Sequence, residues 1–121
     1  MKNIEKLVSN TILLDEKRKM YIKMLFFDNG CFIILSENSH RIGSMTIASS
    51  LANNVTKSQI IPSKFDSLFI DSMAQRISLM LNGICLVSLH SKNPLNIEDM
   101  KIITGEILNI VTERTKEDAG E

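Results

Sequence analysis

Two apolar runs flanking Asp28-Asn29-Gly30 dominate the first third of the chain. Residues 20–27 (Met-Tyr-Ile-Lys-Met-Leu-Phe-Phe) and 31–36 (Cys-Phe-Ile-Ile-Leu-Ser) are rich in strand formers and apolar at positions of both parities. That pattern predicts two strands with apolar surroundings on both faces. Asn-Gly between such runs favours a tight hairpin, because both residues tolerate positive φ. An earlier strand over residues 8–14 leads into them through the charged turn Asp15-Glu16-Lys17-Arg18. After a polar turn at 37–40, residues 41–48 predict a further strand with Ile42 and Ile47 as apolar members, weakened by Gly43 and Ser44. Residues 49–64 read as polar and irregular, with a short extended piece at 59–61 ahead of Pro62.

The second half changes period. Phe69, Ile70, Met73, Ala74, Ile77, Met80 and Leu81 recur at helical spacing over residues 67–82. Asn82-Gly83 is the expected stop, with glycine taking the left-handed conformation. Residues 84–90 form a continuous apolar run that predicts a buried strand, followed by a turn holding Pro94. Asn96 then caps a last helix whose apolar face is Ile97, Met100, Ile103, Ile107, Leu108, Ile110 and Val111. The chain ends, 1–7 and 115–121, read as frayed. The order predicts a single α+β domain, with an antiparallel sheet of about five to six strands and two main helices.

Two helices can hardly cover both faces of such a sheet. A sandwich-like fold or a partner subunit must therefore shield the rest, and a dimer is expected. The first helix also carries an outward stripe: Leu68, Ser72, Gln75 and Leu79 align opposite its core face, with Arg76 at the boundary. Scattered surface leucines are common, but the stripe is also a candidate protein-binding surface. Ile102, off the apolar face of the last helix, adds to it.

Composition narrows the function classes. Fourteen basic residues balance fourteen acidic ones among 121, which leaves no electrostatic footprint for nucleic acid or an anionic membrane. The N-terminus lacks an apolar signal core, and apolar stretches of about five residues fall far short of the ~20 that span a bilayer. A soluble cytoplasmic protein is expected. Cys31 and Cys85 sit inside apolar runs and read as buried free thiols. A thiol paired with His40 or His90 would make a nucleophile, yet burial renders thiols inert. No His/Cys/carboxylate spacing suits a metal, and the five glycines are isolated. Asp66, Asp71, Glu98 and Asp99 fall at helix starts, as dipole-complementing charges do. The seven methionines fall mostly on core stripes. No enzyme, cofactor or metal site is expected.

Ser67-Leu68-Phe69-Ile70-Asp71-Ser72-Met73-Ala74-Gln75-Arg76-Ile77, followed by Asn82-Gly83-Ile84-Cys85-Leu86-Val87-Ser88-Leu89, resembles a segment of the proteasome-assembly chaperone 4 family, in the chaperone 3/4 group. There a helix carrying Ala-Gln-Arg leads through a turn into an aliphatic-x-aliphatic-x-Ser strand. Upstream, Tyr21 to Leu25, the Asp-Asn-Gly turn, Phe32 to Leu35 and Arg41-Ile42-Gly43-Ser44-Met45 are similar to its strand–turn–strand order. The likeness covers roughly residues 8–113. It departs where the family often carries Trp-Val-Gly and this chain has Leu35-Ser36, which fits a distant relative, an archaeal one included. The resemblance implies a non-catalytic chaperone that pairs with itself or a like subunit. It would hold proteasome α-type subunits while the α-ring of the 20S core particle forms. Its C-terminal Asp118-Ala119-Gly120-Glu121 lacks a hydrophobic-Tyr-x docking tail, so binding is expected on the folded surface. The alternative is a dimeric scaffold of roadblock or profilin-like type, which the long opening run of strands disfavours.

Overall fold

The computed structural model describes residues 6–52 and 54–119. Six strands and two helices follow in the order β1 (Lys6–Asp15), β2 (Arg18–Phe27), β3 (Gly30–Glu37), β4 (Ser44–Leu51), β5 (Asn54–Ile61), α1 (Ser67–Leu81), β6 (Ile84–His90) and α2 (Ile97–Ala119). They form one sheet in the order β1-β2-β3-β6-β4-β5. It is antiparallel as expected except between β3 and β6, which run parallel. The first three strands make a meander, β4 and β5 a hairpin, and β6 enters between them after α1 has crossed over the sheet.

Alternation along each strand decides where the core sits. Met20, Ile22, Met24 and Phe26 of β2 are buried on one face, opposite Leu35, Ile33 and Cys31 of β3 in register. Cys85, Val87 and Leu89 of β6 and Ala48 of β4 continue that face. Ile70, Met73, Ala74 and Ile77 from α1 and Ile103, Ile107 and Val111 from α2 close over it. Both helices therefore lie on the same side, and the described residues form no sandwich.

Several local expectations shift. Asn29 and Gly30 do not take positive φ. Gly30 belongs to β3, where a Cβ would stand 2.0 Å from the Ile84 carbonyl oxygen, so the glycine serves close approach and not the turn. Its counterpart Gly83 is likewise not left-handed; Asn82, with φ 51, ends α1 instead. β5 extends over eight residues where a short piece is expected, and β4 starts at Ser44, not at 41. Met80 and Ile97 are exposed because each sits near a helix end, outside the packed centre. α2 continues to Ala119, and residues 1–5, 120 and 121 of the ends expected to fray lie outside the described residues.

The acids at the helix starts do more than complement dipoles. Asp66 has φ 62 and makes no side-chain cap; its Oδ2 instead accepts from the Leu95 amide at 3.0 Å. Asn96 and Asp99 form a reciprocal cap at the start of α2, at 2.7 and 3.3 Å. Asp99 also accepts two bonds from Arg18 Nη2 of β2, at 2.9 and 3.0 Å. Glu98 alone fits the simple reading, exposed and 4.0 Å from Lys101.

Candidate protein-binding surfaces

The sheet face away from the helices carries an apolar surface that neither helix covers. Cross-strand register lines its side chains into rows. Leu7 pairs with Leu25, Leu25 with Phe32, Phe32 with Leu86, and Leu86 with Ile47, so one apolar row crosses five strands. At ~4.8 Å between strands it spans about 19 Å. A parallel row runs from Lys23 through Ile34 to Ser88 and Met45; its far end is buried, and Ser88 Oγ accepts from the Gly43 amide at 3.0 Å. Leu25, Phe32, Ile34, Ile47 and Leu86 are half-buried by one another, and none belongs to the core. Tyr21 borders the rows and stacks on His40, ring centroids 4.4 Å apart. Charge on this face is one-sided: register places Lys19 and Lys23 here and no strand carboxylate.

The stripe on α1 faces the opposite way. Leu68 is 79% exposed and Leu79 50%, while Ser72 and Arg76 are exposed and Gln75 is half-buried. Ser72 and Arg76 also wall a cleft of ≈ 130 Å³ between α1 and α2, floored by Phe69, Met73, Ile77 and Ile107. Ala74 is wholly buried, as its place on the core face requires. Ile102 is on α2 and outside the lining of that cleft.

Thiol and imidazole do not meet. Cys31 and Cys85 oppose each other in register on the helix-covered face, whereas His90, opposite Ser36, belongs to the other. Burial pushes the Cys31 thiol up to about 12, slightly offset by Arg114. The Cys85 thiol is raised further by burial and by Cys31. Neither is a thiolate near neutrality. Among the described residues no three His, Cys, Asp or Glu side chains could hold a metal ion. No helix of the described residues is long and apolar enough to cross a membrane.

The whole sheet-and-helix arrangement superposes on one chain of a chaperone complex for yeast 20S proteasome assembly, with a TM-score of 0.67 over 93% of this chain and 98% of that one. The two chains share one fold. Sequence identity with that yeast protein is 17%, so the likeness resides in the fold. No family model matches the sequence, and no curated protein matches it.

The open-face residues were legible only collectively. Apolar residues at both parities of β2, β3 and β6 announce a two-sided strand, but do not say which parity meets the chain's own helices. That choice is made by α1 and α2, through residues far away in sequence.

Proposed function

We propose that this chain is a non-catalytic, cytoplasmic assembly chaperone that pairs through its open sheet face with a like subunit and holds a proteasome α-type subunit during 20S assembly. The observation that carries this reading is the apolar row Leu7–Leu25–Phe32–Leu86–Ile47 on a face that neither helix covers. An uncovered face of this kind marks a protein interaction site. The fold shared with a chain of a proteasome-assembly chaperone complex supports the client class. Lys19 and Lys23, on a face where register places no strand carboxylate, favour a like subunit that supplies carboxylates over a second copy, which would bring lysine against lysine. The α1 stripe of Leu68, Ser72, Gln75, Arg76 and Leu79 points away from that interface and is free to meet the client.

Affinity capture with the tagged chain from its own cells tests this. Free α-type subunits together with a small α+β protein are the expected catch. Ile34→Glu should lose the small partner, and Leu79→Glu should lose the client while both variants stay folded. Recovery of small GTPases or motor subunits in place of α-type subunits would establish a scaffold instead.

A further inference from the structure

We propose that the free edge of β1 pairs with the β1 edge of a second copy of this chain, antiparallel about a two-fold axis at Asn10. Among the described residues β1 lies at one border of the sheet and pairs only with β2. Its outer side presents backbone N–H and C=O groups, a template for another strand. Edges are normally blunted by charge, proline or shortness. β1 is ten residues long, and its residues 7–13 contain no charge, proline or glycine.

Those seven residues read alike in both directions. Leu7-Val8-Ser9-Asn10-Thr11-Ile12-Leu13 runs leucine, β-branched, hydroxyl, amide, hydroxyl, β-branched, leucine. A two-fold contact sets each residue against the one equally far beyond the axis in the other copy. With the axis at Asn10, Leu7 meets Leu13, Val8 meets Ile12, Ser9 meets Thr11 and Asn10 meets Asn10. Each is a matched cross-strand pair. Moving the axis to Ser9 or Thr11 sets leucine against a hydroxyl and a β-branched residue against the amide, so the sequence selects one register.

The faces also agree. Opposed residues of antiparallel strands point to the same side, which keeps Leu7 and Leu13 together on the open side and Val8 and Ile12 on the helix side. Leu7 and Leu13 are 59% and 65% exposed in the single chain. The helix layer contributes too. Asn10 Nδ2 donates to Glu106 of α2, and Ile102, one turn before Glu106, is 39% exposed. The product is a continuous sheet of twice the six strands, with all helices on one side. Both open faces remain free, so this contact does not depend on the chaperone reading.

The test is Asn10→Cys in the full chain, whose native thiols are buried. At the axis the two introduced thiols stand on Cα atoms about 4.5–5.5 Å apart, within disulfide range. Mild oxidation should give a dimer on a non-reducing gel. Leu13→Cys, about 20 Å from its own counterpart by strand rise, should cross-link at least tenfold less. Equal cross-linking at both positions would mean random collision and overturn the register. In sedimentation equilibrium the unmodified chain should self-associate, and Leu13→Lys should weaken that at least tenfold. A monomer at every concentration, or no change with Leu13→Lys, overturns the interface. Adding Ile34→Glu to the Asn10→Cys variant should leave its cross-link intact, so loss of partner capture by Ile34→Glu bears only on the open face.

Discussion

Asp71→Ala tests how α1 is fastened to the β4–β5 hairpin. Asp71 is buried; its Oδ1 accepts from Thr46 Oγ1 at 2.7 Å and its Oδ2 from Lys57 Nζ at 2.9 Å. Thr46 is 0% exposed, so alanine at 71 strands its hydroxyl, at a cost of about 1–3 kcal/mol. The Lys57 side chain is 46% exposed and returns to water, so its bond contributes at most about 1 kcal/mol. Asp71→Ala should therefore destabilise by about 2–3 kcal/mol, and Thr46→Val by about 1 kcal/mol, since Lys57 still serves the carboxylate. The double variant should cost hardly more than Asp71→Ala, because valine removes the stranded hydroxyl. Urea denaturation at neutral pH reads this as a midpoint lowered by about 1 M for Asp71→Ala. The pH dependence is a second readout. Burial alone would raise the Asp71 carboxyl, but the Thr46 and Lys57 hydrogen bonds and the ammonium charge outweigh it and hold it below the usual range. A depressed folded value means the contribution is complete above the unfolded value of about 3.9 and fades as pH falls through the folded one. The gap between wild type and Asp71→Ala should thus narrow only below about pH 4. Single-variant costs that add within about 0.5 kcal/mol, or a gap that stays constant into strong acid, would refute the network.

Gly30→Ala should cost at least about 2 kcal/mol, because the new methyl meets the Ile84 carbonyl, a backbone group that cannot rotate away. Gly105→Ala, with open space around its Cβ, should stabilise α2 by about 0.5–1 kcal/mol; thermal melts distinguish the two signs. Asn96→Ala should cost about 1 kcal/mol through its cap, whereas Asp99→Ala should cost more in the same melts, since it also removes both bonds from Arg18 Nη2 and leaves Arg18 only its ion pair with Asp15. Cys31 and Cys85 should label with a thiol reagent only as fast as the chain unfolds globally, and rapid labelling of either under native conditions would contradict their burial.

What the sequence discloses follows from which elements own a buried side. The β2–β3 hairpin and β6 are recognisable because their apolar runs are uninterrupted. α1 and α2 are recognisable because their core residues keep the helical period. β5 is almost invisible: seven of its eight residues are exposed, and a strand without a buried face has no alternation to read. Asp71 looks like an ordinary helix-start acid until β4 and β5 bring Thr46 and Lys57 to it. Strand order is hidden for the same reason, since the partners of β6 lie in two segments on the far side of α1. On the candidate surfaces, exposure of Leu68 and Leu79 follows from helix period alone. The identity of the uncovered sheet face depends on which side both helices choose.

The place of β6 has a consequence for biosynthesis. As the chain leaves the ribosome, β1–β3 and β4–β5 can each form from neighbouring segments, yet the seam between them stays open until residues 84–90 emerge. The last strand made is the keystone of the sheet, and pairing Gly30 with Ile84 is a long-range closure of the slow kind. Nascent chains stopped before that strand hold a three-stranded meander and a separate hairpin with raw inner borders, a state suited to capture by general folding factors.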